Sequence, residues 1–141
     1  MRASLAIAMI LVVQIPAHAA SIDTRCPSSV VPAKVALNPS AGWQVQVDPG
    51  AEKVQRTALL KVAEVLGQAP TSGELAAAVL MPSNEAQLHR DVGALWRFGP
   101  GSHPWVKCEY GGVTLFHALP SPTQLCRLKA RGVIACNRSG T

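Results

Sequence analysis

CRLKARGVIAC, residues 126–136, is the stretch on which the reading of the fold turns. Arg131-Gly132 has turn chemistry, because the glycine is free to take a positive φ. The short runs on either side fit antiparallel strands. With Arg131 as the turn centre, Ala130 faces Gly132, Leu128 faces Ile134 and Cys126 falls opposite Cys136. Opposed residues on antiparallel strands hold their Cβ atoms about 4.5–5.5 Å apart, close to disulfide distance. The hairpin therefore predicts a Cys126–Cys136 bridge.

The chain has four cysteines, so the remaining pair is Cys26–Cys108. An even count in a small exported domain argues for disulfides. No CxxC or HxxxH spacing occurs, so neither a metal site nor a cofactor is expected. The Cys26–Cys108 bridge closes roughly 80 residues, worth about 4.5 kcal/mol of loop entropy against about 2.7 for the hairpin bridge. It fastens the N-terminal segment to WVKCEY, residues 105–110.

Export is read from the start of the chain. Arg2 precedes the apolar run LAIAMILVVQI (5–15), then Pro16 and Ala17-His18-Ala19. A positive start, a short apolar run and an A-x-A site mark residues 1–19 as a signal peptide. Residues 20–141 then form one domain, periplasmic or secreted. No later stretch has the roughly 20 apolar residues that a transmembrane span needs.

Further along, GWQVQVD (42–48) alternates, with Trp43, Val45 and Val47 on one side and Gln44 and Gln46 on the other. Ser21 to Pro27 is expected to be extended, since Pro27 disfavours helix at Cys26. Val30-Val31 and Val35 to Leu37 read as apolar pieces separated by Pro32. AEKVQRTALLKVAEVLG (51–67) has helix formers and a glycine stop. Its alternative is a strand over 57–65, with Leu60 and Val62 on one face. Residues 70–78 read as a short helix, 80–82 as extended and 83–91 as a loop. VGALWRF, PWVKCEY, VTLFHAL, TQLCRLK and VIACN read as strands separated by Gly-Pro-Gly, Gly-Gly, Pro-Ser-Pro and Arg-Gly turns. The fold class expected is mainly β, with α+β as the alternative. It is a single antiparallel meander or sandwich with one short helix and two disulfides.

The order CP (26–27), GW (42–43), GQAP (67–70), L-x-P (80–82), LW (95–96), WVKCEY (105–110), LP (119–120) and two final cysteines carries a resemblance. It resembles a family of small exported proteins of Gram-negative bacteria without an established activity. The resemblance covers most of residues 25–137 and implies a strand for 57–65. Leu66-Gly67-Gln68-Ala69-Pro70 departs from it, replacing the family's acidic double-proline turn. It brings no catalytic residues.

The histidine, lysine, thiol, carboxylate and phenol of HPWVKCEY look at first like an active site. A bridged Cys108 offers no nucleophile to His89, His103 or His117. Ser102 and Ser121 lack the GxSxG context. Asp48, Glu52, Glu85, Asp91 and Glu109 are scattered. No catalytic residue is assigned. Strand alternation puts Val106, Cys108 and Tyr110 inward and Trp105, Lys107 and Glu109 on the other face, where they form a candidate partner contact. Arg127, Lys129 and Arg131 form a candidate basic stripe. The formal net charge is +5, and no acidic side chain follows Glu109. That points to an acidic protein or an anionic envelope component. Nucleic acid is not indicated, since no aromatic residues interleave with the stripe. The leading expectation is a non-enzymatic binding protein, an inhibitor or immunity protein of an envelope or wall-degrading enzyme. The alternatives are a structural or lipid- or glycan-binding module, and an enzyme without a recognisable motif.

Overall fold

The computed structural model describes residues 21–70 and 93–138. The expected signal peptide, nearly all of the helix expected at 70–78, and the extended piece and loop expected at 80–82 and 83–91 fall outside the described residues.

The hairpin forms as a two-residue turn. β9 (Thr123–Ala130) and β10 (Val133–Arg138) run antiparallel, with Ala130 opposite Val133, Leu128 opposite Ile134 and Cys126 opposite Cys136. Ala130 thus faces Val133, not Gly132 as the sequence reading had it. Lys129 is the extra residue: a bulge takes up the one-residue difference, so the pairs beyond it keep their register. Cys126 and Cys136 are bonded, and so are Cys26 and Cys108.

β1 (Ser21–Arg25) and β6 (Leu95–Arg97) flank the hairpin in a sheet of order β1-β10-β9-β6. A second sheet has the order β3-β8-β7-β5, from β3 (Gln44–Val47), β8 (Val113–Ala118), β7 (Trp105–Tyr110) and β5 (Val62–Leu66). A ribbon pairs β2 (Ser29–Val30) with β4 (Ala58–Leu59). Every strand pairing among the described residues is antiparallel.

Residues 51–67 do not form the helix that their propensity favours. Ala51–Lys53 makes one 3₁₀ turn, and two strands follow. Pairing with β7 places Ala63 opposite Cys108 and Val65 opposite Val106, all buried, and this packing outweighs intrinsic propensity. The 57–65 strand is broken at Leu60-Lys61, and Leu60 packs under Gly132 while Val62 begins β5. The described helix is instead α1 (Pro32–Leu37), across residues read as separate apolar pieces. Proline suits a first helical turn because its missing N–H would be unpaired there anyway.

The inward residues of both large sheets make one core. Val65, Val106, Cys108, Tyr110, Val113 and Leu115 come from the second sheet. Trp96, Cys126, Leu128, Ile134 and Cys136 come from the first. The Cys26–Cys108 bridge ties the end of β1 to the middle of β7, so it crosses from one sheet to the other.

Gly132 lies at the joint. It has φ +75, and a Cβ there would stand 2.7 Å from Leu60 Cδ2 and 3.4 Å from Cys26 Cβ. Gly132→Ala is expected to lower the unfolding free energy by about 1–3 kcal/mol, from overpacking and a left-handed backbone. Urea titration of the variant and parent checks this.

Candidate functional site

β7 is clamped on its inward side. Tyr110 follows Cys108 by two positions and is 2% exposed. Its hydroxyl donates to the Pro27 carbonyl at 2.6 Å. Pro27 follows Cys26, so the disulfide and this hydrogen bond hold the same short segment. Burial pushes the Tyr110 pKa well above the ordinary phenol value. The cluster first legible in the sequence as possible chemistry is, on this side, a structural fastening.

On the other side, Trp105, Lys107 and Glu109 are half-buried, and the Glu109 side chain is more open than that of Lys107. Lys107 Nζ lies 2.7 Å from Glu64 Oε1 and 3.4 Å from Glu109 Oε2. Glu64 is brought directly opposite Lys107 by the β5–β7 register and is itself buried. Burial alone lowers the Lys107 pKa, but the hydrogen bond and charge of Glu64, with those of Glu109, outweigh it and the net direction is upward. Leu66 and Phe116 are also buried on this side. The face is therefore mostly closed, and its lysine is neutralised locally. Sequence reading missed Glu64, because the cross-strand register that pairs it with Lys107 depends on where β5 starts.

The hairpin cations diverge. Arg127 is exposed on the solvent face of β9. Lys129 pairs with Asp23 at 3.2 Å, both about half exposed, a contact worth little in water. Arg131 turns away and donates to the Leu60 carbonyl. The stripe is thus not one surface. Arg127 and Lys129 share a sheet with Arg25 and Arg97, while Arg131 borders a groove beside Leu59 and Leu60. Strand parity from Cys26 would have found Arg25; Arg97 needed the pairing of β6 with β9.

His117 Nδ1 donates to the Gly42 carbonyl at 2.9 Å, and its ring lies 5.0 Å from that of Trp43. His103 Nδ1 is 3.4 Å from the Ser121 hydroxyl, in the open. That is longer than the roughly 2.6–3.2 Å of a working base and nucleophile. Among the described residues no cysteine is free and no cluster of metal ligands occurs. No helix among them is long and apolar enough to cross a membrane. The two disulfides fit an oxidising compartment outside the cytoplasm.

Comparison of the chain with protein-family models, curated protein sequences and solved structures finds no match.

The buried phenol predicts alkaline instability. The unfolded chain loses the Tyr110 proton near pH 10, whereas the folded chain keeps it to higher pH. The native state then holds the extra proton, so stability is constant below about pH 10 and falls above it, by at most about 1.4 kcal/mol per pH unit for this group. Lys107, also raised, adds a fall in the same direction. Urea midpoints measured from pH 8 to pH 11 are expected to fall less steeply in Tyr110→Phe than in the parent.

Proposed function

We propose that this chain is an exported, non-enzymatic binding protein that engages an acidic protein. Its class is that of an inhibitor or immunity protein, directed at an envelope or wall-degrading enzyme. The observation that carries this reading is the solvent face of the β1-β10-β9-β6 sheet. Arg127 stands across β10 from Asp23, in one row of the sheet. Arg97 is diagonal to Arg127 on the neighbouring strand, about 7–8 Å away by strand geometry. Arg25 extends the same face at the next row, opposite Val133.

Among the described residues, Lys129 is the one of these cations in an ion pair. Fixed positive charge on a disulfide-braced sheet favours association with an acidic surface, and little ordering entropy is lost on binding. Inhibitors that block a cleft draw on the same rigidity. The exposed His103–Ser121 contact, at 3.4 Å, gives an enzymatic reading no comparable support.

The test is hydrolysis of isolated peptidoglycan by purified muramidases, amidases and endopeptidases, with and without residues 20–141. One enzyme class is expected to be inhibited, less so as salt is raised. Inhibition should weaken by about tenfold or more in the combined variant R97A/R127A/K129A, as expected for interfacial charges. Inhibition unchanged in that variant, or turnover of peptidoglycan by the chain itself, contradicts the proposal.

A further inference from the structure

Two adjoining depressions share Leu59, Leu60 and Arg131 as walls. The first, about 360 Å³, lies between Arg25–Ser28 and β4. The second, about 640 Å³, continues past Arg56 and Lys61 toward the Gly111-Gly112 turn. Arg25, Arg56, Lys61 and Arg131 line them, against a single acid, Asp48. Among the described residues none of these four cations is in an ion pair; the ion pairs there join Lys107 to Glu64 and Glu109, and Lys129 to Asp23. Leu59 lines both depressions and is 65% exposed; among the described large hydrophobic residues Leu37 is the other exposed one.

From this juxtaposition we propose that the groove seats an acidic, extended peptide segment of a partner protein. The proposal rests on the binding reading above and names a second contact for it, separate from the Arg97–Arg127 face. Charge complementarity fixes the sign of the occupant. Guanidinium groups match carboxylates through two parallel N–H···O bonds. Arg131 is held by its bond to the Leu60 carbonyl, so less freedom is lost when its remaining donors engage. The exposed Leu59 supplies apolar area between the charged ends, which an inorganic anion would not use. Length favours an extended chain over a single side chain, since the two depressions run on from each other. β4 also has one strand neighbour, β2, among the described residues, and an extended segment adds to a sheet at an edge of that kind.

Fluorescence anisotropy with a labelled hexapeptide of alternating Glu and Leu tests it, beside the same peptide with Gln for Glu. The acidic peptide is expected to bind about tenfold tighter than the Gln peptide, as charge-assisted hydrogen bonds require. The exposed pair R56A/K61A should weaken binding by about tenfold, and Leu59→Ser severalfold, with circular dichroism unchanged. R97A/R127A should leave it unaltered. Peptide binding without inhibition of any wall enzyme would support the groove and contradict only the inhibitor reading. Three results would overturn the groove: no binding of the acidic peptide, equal binding of the Gln peptide, or binding of phosphatidylglycerol vesicles in its place through Arg56 and Lys61.

Discussion

The covalent link between Cys26 and Cys108 is the constraint on which the other features depend. It joins the residue after β1 to the centre of β7, with Cα atoms 5.8 Å apart and a sequence separation of 82. β1 is an edge strand of one sheet and β7 an inner strand of the other. Without this link the sheets meet through apolar packing and a few hydrogen bonds, among them Tyr110 to Pro27 and Arg131 to Leu60. With it, the unfolded chain loses the loop entropy of a long closure, the larger of the two disulfide effects. The Tyr110–Pro27 hydrogen bond and the fit of Gly132 against Leu60 and Cys26 gather at the same joint. The small core is thereby tied at its centre.

That joint also explains where charge can reach solvent. β7 gives its inward face to the bridge, so Trp105, Lys107 and Glu109 must take the other. There Lys107 is matched by Glu64 and Glu109, and a partly buried ion pair of this kind is costly to break from one side. Arg25, Arg97 and Arg127, on the outer face of the first sheet, and Arg56, Lys61 and Arg131, around the Leu59 groove, lie away from that pair. Arg25 stands between the two regions, next to Cys26, and so its position too is set by the bridge.

Some of this was legible in the sequence and some was not. The pairing of Cys126 with Cys136 could be read because a hairpin's register follows from its turn, and the alternation of 105–110 because a strand has a period of two. The turn itself was displaced by one residue: a bulge at Lys129 has no sequence signature separate from the turn. The 51–67 segment was ambiguous because its residues have helical propensity, while its conformation is decided by β7, some 40 positions later along the chain. α1 was missed because six residues give too little periodicity, although Pro32 marked its start. The grouping of Arg25, Arg56, Lys61 and Arg131 depends on how separate strands dock, so local pattern could not reveal it.

The most direct test of the account compares two double variants, C26A/C108A and C126A/C136A, by urea unfolding of residues 20–141. The account predicts that removing the inter-sheet bridge costs the more of the two, about 2–5 kcal/mol, and lowers the protection of both sheets together in hydrogen exchange. A C26A/C108A protein as stable as the parent, or less destabilised than the hairpin variant, would contradict it.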